Sequence, residues 1–90
     1  MKKYVIEREI PKVGTLDGEP LRQAAAQSNR VLHQLGPDIL RLESYVAADK
    51  MFCIYMAKDQ QIVRQHAAMS GFPATRISEI GKTIDPDTGK

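Results

Sequence analysis

The side chains best suited to chemistry lie in one short stretch of the chain, residues 43–55. It carries Glu43 and Tyr45, spaced two apart, and then Cys53 and Tyr55, again spaced two apart. Thiolates and carboxylates can bind divalent transition metals such as nickel, copper or zinc once they are deprotonated. No CxxC, HxH or HExxH spacing is present, so no local motif defines a metal site. The chemistry therefore depends on how the fold groups these residues.

The alternation in this stretch predicts a β-hairpin, and its loop length decides which side chains share a face. A two-residue loop at Ala48-Asp49 would mix apolar and polar side chains on one face. An odd-length loop centred near Asp49 gives the helices a consistent apolar face, so we predict that register. Its apolar face carries the pairs Val46 with Phe52, Ser44 with Ile54, and Leu42 with Met56. Its opposite face carries Arg41, Glu43, Tyr45, Met51, Cys53 and Tyr55.

A strand from Lys3 to Ile10 is expected beside the second hairpin strand and adds carboxylates to the polar face. If Tyr4, Ile6 and Ile10 face the helices, Val5, Glu7 and Glu9 join that face. The residues predicted to bind a metal are Glu7, Glu43 and Cys53. The residues predicted to shape or contact a bound ligand are Tyr45, Tyr55, His66 and Glu79.

Several of these groups also have a structural interpretation. Cys53 can pack as a small hydrophobe in a half-polar dimer interface. His66 lies on the apolar side of the second predicted helix, where a histidine is more often hydrogen-bonded to a neighbour than a ligand, and Glu79 is its candidate partner. His33 is interpreted as a surface residue. No histidine is placed to activate Cys53 as a nucleophile, and no glycine-rich phosphate loop is present, so no reaction is indicated.

Capping and turn signals divide the chain into six elements. They are a strand over Lys3–Ile10, a helix with Pro20 in its first turn and Gly36 as its cap, a hairpin over 39–57, a helix from Asp59 to Gly71, and a strand over Ala74–Ile84. Residues 85–90 are expected to form a turn-like, flexible tail. The order β-α-β-β-α-β predicts a ferredoxin-like α+β fold, with both helices on one face of a four-stranded antiparallel sheet. The other face is left for solvent, a ligand or a second subunit.

The composition indicates one small soluble domain. The chain has 90 residues, of which 42% are hydrophobic and 27% charged. Its net charge of +2 is dispersed and only 6% of residues are aromatic, which argues against nucleic-acid binding. A single cysteine, a charged N-terminus and no long apolar run favour the cytoplasm over secretion or a membrane. A core this small is often stabilised by pairing, so a homodimer is expected.

A set of short motifs runs along nearly the whole chain. They are Tyr4-Val5-Ile6-Glu7-Arg8, Ser44-Tyr45-Val46, Asp49-Lys50, Cys53-Ile54-Tyr55, His66-Ala67, Gly71-Phe72-Pro73-Ala74, Ser78-Glu79 and Ile84-Asp85-Pro86. Together they resemble a family of small bacterial proteins, some described as nickel-binding and nickel-responsive. The resemblance implies a ferredoxin-like dimeric α/β barrel in which two sheets pair through their open faces.

The same resemblance implies nickel binding inside that barrel. The residues that match the family as candidates are Glu7, Tyr45, Cys53 and Tyr55. One position departs from the pattern, since a histidine commonly precedes Ser-Tyr-Val and this chain has Glu43. Glutamate is a harder ligand than histidine, which lowers the expected preference for nickel.

The leading hypothesis is a non-enzymatic metal-binding protein, with Ni²⁺ or another divalent transition metal held on the open sheet face inside a homodimeric barrel. The alternative is a small-molecule enzyme or ligand-binding protein of the dimeric α/β-barrel type, with His66, Glu79 or Tyr55 as acid or base. A third hypothesis is a purely structural interaction module, which would be favoured if side chains fill the interior of the dimeric barrel.

Overall fold

A computed structural model describes residues 1–90 as a four-stranded antiparallel sheet with two helices. The strands are β1 (Lys2–Glu9), β2 (Ile39–Val46), β3 (Lys50–Ala57) and β4 (Arg76–Glu79), and the helices are α1 (Gly18–Leu35) and α2 (Gln60–Ser70). The strand order in the sheet is β2-β3-β1-β4. The predicted α+β class and element order are confirmed. The order is that of the ferredoxin-like motif.

Local sequence signals explain where both helices stop and where α2 starts. Asp59 caps α2, because its Oδ1 accepts a hydrogen bond of 3.0 Å from the backbone N–H of Ile62. Gly71 ends α2 in the left-handed region at φ 80°, which a glycine adopts without a steric penalty. Gly36 ends α1 at the same φ, and Pro37 follows it. The predicted caps are therefore confirmed.

The last strand is shorter than predicted. The expected strand over Ala74–Ile84 is reduced to Arg76–Glu79. Its partner β1 begins at Lys2, and the backbone N–H of Ile80 already bonds to the carbonyl of Lys3 at 2.8 Å. Later residues have no strand left to pair with. Pro86–Gly89 instead forms a single 3₁₀ turn within the predicted tail.

The register of the β2–β3 hairpin differs from the prediction. Val46 pairs with Met51, and the backbone N–H of Ala47 donates to the carbonyl of Lys50 at 2.8 Å, which closes a two-residue loop at Ala48-Asp49. The predicted odd-length loop is therefore wrong. A β-bulge between Arg41 and Glu43 leaves Leu42 without a partner in β3 and shifts the earlier half of β2 by one residue.

This register reverses the predicted faces of β3. Tyr55 lies opposite Tyr4 and Cys53 opposite Ile6, so both point towards the helices rather than to the open face. The prediction assumed that polar side chains avoid the helix side. Tyr55 is only 1% exposed, and its phenol oxygen is satisfied there by Arg8. A polar group can be buried when it is hydrogen-bonded. The predicted register keeps Tyr55 out of the core, and this hydrogen bond makes that unnecessary.

The core lies between the sheet and the helices. Its buried members are Tyr4, Ile6, Ile39, Cys53, Tyr55, Ala57 and Val63. Leu32 and Leu35 of α1 pack against the same cluster, so both helices cover one sheet face. Neither helix has the length and apolar character needed to cross a lipid bilayer.

Candidate functional site

The sheet face turned away from the helices is called the open face here, and it carries two of the predicted metal ligands. From the strand register, its members are Lys3, Val5, Glu7, Glu9, Leu40, Glu43, Tyr45, Lys50, Phe52, Ile54, Met56, Arg76 and Ser78. Glu7, Glu43 and Tyr45 therefore share one face, as the sequence predicted. Their neighbours on β3 are apolar rather than polar, because Phe52 and Ile54 replace the expected Cys53 and Tyr55.

Two of the three carboxylates on the open face, those of Glu43 and Glu7, already have partners. Tyr45 donates its O–H to Glu43 Oε2. This hydrogen bond raises the pKa of Tyr45, because the phenolate would lose it and face the carboxylate charge. Glu7 Oε1 lies 3.9 Å from Lys50 Nζ. Tyr45, Phe52 and Glu7 form one row across β2, β3 and β1, so Tyr45 and Glu7 are two strand spacings, roughly 10 Å, apart.

Cys53 does not join these carboxylates. Its side chain is 3% exposed and lies on the helix side, opposite Ser44 of β2 and Ile6 of β1. No group of three or more His, Cys, Asp or Glu side chains in the chain is close enough to hold a metal ion. The donors of one chain therefore do not fit a complete nickel site. What the open face offers is three hard carboxylate ligands on one surface, those of Glu7, Glu9 and Glu43.

Tyr55 and His66 are brought together on the helix side, and their ring centroids lie 5.3 Å apart. His66 is fully buried, with Nε2 3.1 Å from Ser28 Oγ and 3.3 Å from the Ser28 carbonyl oxygen. Its Nδ1 has no hydrogen-bond partner. Glu79 instead lies 3.8 Å from Lys2 Nζ at the exposed edge of the sheet. The predicted pairing of His66 with Glu79 is therefore wrong.

Burial sets the protonation state of His66. Loss of hydration lowers its pKa from 6.5 to about 4, and the positive charges of Arg8 and Arg41 act in the same direction. The hydrogen bond to Ser28 opposes this shift and is the smaller effect. The imidazole is therefore neutral at physiological pH, with Nε2 carrying the proton that the Ser28 carbonyl accepts.

Arg8 is a polar core residue that the prediction missed as a site residue. Its side chain is 2% exposed, and its guanidinium donates to the Pro73 carbonyl at 2.8 Å and to the Tyr55 phenol oxygen at 3.3 Å. The guanidinium carbon also lies 5.9 Å from the centre of the Phe72 ring. The signal was available in the sequence, because Arg8 follows Tyr4 and Ile6 at the strand period of two.

A cavity of about 770 Å³ lies on this side of the sheet, between α1, β2 and the turn at 71–73. We call it the interior cavity. Its apolar wall includes Leu21, Ala24, Ala25, Leu32, Val46 and Met51, and its polar lining includes Arg8, Ser28, Arg41, Ser44 and Tyr55. Cys53 also lines it. The helix side therefore holds a concave site. Glu43 of the edge strand β2 also lines it, whereas Glu7 lies on the opposite face and does not.

Comparison with known proteins places the chain in a family. Residues 4–80 match the nickel responsive proteins similar to SCO4226. The crystal structure of SCO4226 from Streptomyces coelicolor A3(2) aligns with a TM-score of 0.75 at 13% identity, over 91% of this chain and 99% of that one, which shows a shared fold. A search of curated protein sequences gives no match. The chain belongs to the SCO4226-like nickel responsive protein family.

Proposed function

We propose that this chain is a non-enzymatic, nickel-responsive protein that binds a divalent metal as a homodimer, with the ion held on the open face. The observation that carries the proposal is the position of Glu7 and Glu43 on one uncovered sheet face in a member of this family. Carboxylates bind divalent cations in their ionised form, which is the form present at neutral pH.

The apolar part of the open face supports the homodimer. Leu40 and Tyr45 are each 54% exposed, and Val5, Phe52 and Ile54 are only half-buried between them. Covering apolar surface is favourable, at about 25 cal/mol per Å² removed from water. A second copy offers the same patch, so two open faces can pair about a two-fold axis and close a barrel.

Pairing also supplies the ligands that one chain lacks. Two facing copies bring Glu7 and Glu43 from both chains to one interior, giving four carboxylates in place of two. Such a site is built from hard oxygen ligands. We therefore expect it to separate Ni²⁺ from Mn²⁺ less sharply than a site of histidine and thiolate would.

Isothermal titration of the untagged protein with Ni²⁺ tests this proposal. Glu43→Gln and Glu7→Gln keep the side-chain shape and remove the charge. Each is expected to weaken nickel binding by roughly tenfold or more, because it removes an anionic ligand. Cys53→Ser is the matched control and is expected to leave nickel affinity within about twofold, because Cys53 lies on the other face.

The reverse pattern would refute the open-face site. If Cys53→Ser loses nickel and Glu43→Gln retains it, the ion lies on the helix side. Circular dichroism of each variant confirms that the fold is intact before affinities are compared.

A further inference from the structure

The buried guanidinium of Arg8 makes no ion pair within the chain. The one carboxylate that lines the interior cavity, that of Glu43, is exposed and accepts a hydrogen bond from Tyr45 instead. Its partners are a carbonyl, a phenol and an aromatic ring, all of them uncharged. The four ion pairs of the chain involve Lys2, Arg22, Lys50 and Lys90, and none includes Arg8. Burying a charge without an opposite charge is costly, and buried charges in proteins are normally paired. An arginine that is 2% exposed and lines a cavity therefore points to an anion as its partner.

Further polar groups line the same cavity. Ser44 Oγ is buried and makes no hydrogen bond, although Ser44 lines the cavity. Tyr55 accepts from Arg8 and donates to no other group, so its own O–H proton is available. Arg41, half-buried, donates to Asn29 Oδ1 at 3.0 Å and adds a second positive charge. Buried polar atoms of this kind are satisfied by a partner in most proteins, and a ligand can supply one.

The register brings these groups together. Ser44 lies directly opposite Cys53, and Tyr55 lies two residues further along the same face of β3. The guanidinium of Arg8 extends from the far end of β1 to reach Tyr55, passing the Ile6–Cys53 row. Arg8, Ser44 and Tyr55 therefore share the helix-facing side of the sheet, and all three line the cavity.

We propose that the interior cavity binds a small organic monocarboxylate with an apolar body. Arg8 holds the carboxylate, with Tyr55 O–H and Ser44 O–H as further donors, and the apolar body lies against Leu21, Ala25 and Met51. A monoanion matches the single fully buried positive charge. A volume of about 770 Å³ falls in the range of small-molecule sites, which are mostly apolar with a few polar groups that fix orientation.

Titration of the untagged protein with decanoate, at concentrations below micelle formation, tests this site. Decanoate is expected to bind at one site per chain and to shift the NMR signals of Arg8 and Ser44 but not those of Val5 on the open face. Decanol, which has the same chain and no charge, is expected to bind roughly tenfold or more weakly, because it cannot make a charge-assisted hydrogen bond.

Two variants locate the site by independent means. Arg8→Met keeps an apolar side chain of similar length and is expected to weaken decanoate binding roughly tenfold or more, with decanol binding unchanged. Ala25→Phe fills the cavity from the α1 side while the arginine at position 8 is retained, and it is expected to block both probes. Arg64→Met, which removes an exposed arginine outside the cavity, is the matched control and is expected to bind decanoate like the original chain.

Equal affinity for decanoate and decanol, or decanoate binding that survives Ala25→Phe, would overturn the proposal. So would the absence of any decanoate binding to the original chain. Because Ala25→Phe leaves Arg8 in place, the test holds even if Arg8→Met fails to fold. The nickel proposal stands or falls separately through Glu7, which lies on the opposite face and does not line the cavity.

Discussion

At the scale of single residues, the core is more polar than the sequence pattern suggests. Arg8 donates to Tyr55, and the Tyr55 ring packs beside His66, which in turn bonds to Ser28. These contacts connect β1, β3, α2 and α1 through the interior. Hydrogen bonds compensate much of the cost of burying the polar atoms, but the charge of Arg8 and the Nδ1 atom of His66 remain unpaired.

The buried His66 makes stability depend on pH. Its pKa is about 4 in the folded chain and 6.5 when unfolded. Below pH 6.5 the imidazole is protonated in the unfolded state but stays neutral in the folded state. The contribution of His66 to the free energy of unfolding is therefore complete above pH 6.5 and decreases as the pH drops to about 4. The free energy of unfolding decreases by about 3 kcal/mol at most, because each unit of pKa difference corresponds to 1.36 kcal/mol.

Urea unfolding between pH 7 and pH 4 measures this loss. His66→Gln is expected to show a flatter pH dependence than the original chain, because glutamine does not titrate. His33→Gln is the control, since His33 is exposed, and it is expected to keep the full slope. Parallel pH profiles for the original chain and His66→Gln would show that His66 is not the group responsible.

At the scale of elements, the predicted helix caps and the pairing of β1 with β3 are confirmed, and the predicted register of the hairpin is wrong. Asp59, Gly36 and Gly71 each act on the nearest turn of helix, so sequence alone places them. The hairpin register depends on distant groups instead. In the observed register Tyr55 faces the helices, where Arg8 of β1 donates to its phenol oxygen, and the hairpin sequence carries no signal for that contact. This is why two of the four hairpin candidates, Cys53 and Tyr55, were assigned to the wrong face.

The hairpin tip is held by the loop after β1. The backbone N–H of Gly14 donates to the carbonyl of Ala48 at 2.8 Å, and that of Lys12 donates to Asp49 Oδ1 at 2.8 Å. A Cβ on Gly14 would lie 2.6 Å from the carbonyl oxygen of Ala47 and 2.8 Å from Ala48 Cα, too close for either backbone atom. The glycine is therefore required by the close approach of two backbones.

Gly14→Ala is expected to destabilise the fold by about 1–3 kcal/mol, because the loop or the hairpin tip must shift. Chemical denaturation measures the change in the free energy of unfolding. Gly81→Ala is the matched control, since a Cβ there meets nothing within 4 Å, and its effect is expected to stay within about 0.5 kcal/mol. Equal effects of the two substitutions would contradict the close contact.

At the scale of the whole molecule, the sheet separates two chemistries. The open face combines Glu7 and Glu43 with an apolar strip, and the helix side holds a cavity with the buried cation Arg8. The sequence predicted the fold and an uncovered face, because both follow from element order and crossover handedness. It did not predict the cavity, which depends on how far α1 stands from β2.

The central claim is that metal binding and dimer formation both use the open face. Val5→Gln combined with Ile54→Gln makes the centre of that face polar without adding charge. This variant is expected to separate the dimer and to lose nickel with it, because one chain alone supplies only two of the four carboxylates. Met69→Gln is the control, since it replaces an exposed apolar residue on α2, which packs on the other side of the sheet.

Native mass spectrometry of the untagged protein with Ni²⁺ reports subunit number and retained metal together, and so tests this claim most directly. We expect a nickel-carrying dimer for the original chain and for Met69→Gln, and a nickel-free monomer for Val5→Gln/Ile54→Gln. A monomer that retains nickel, in the original chain or in the double variant, would contradict the account.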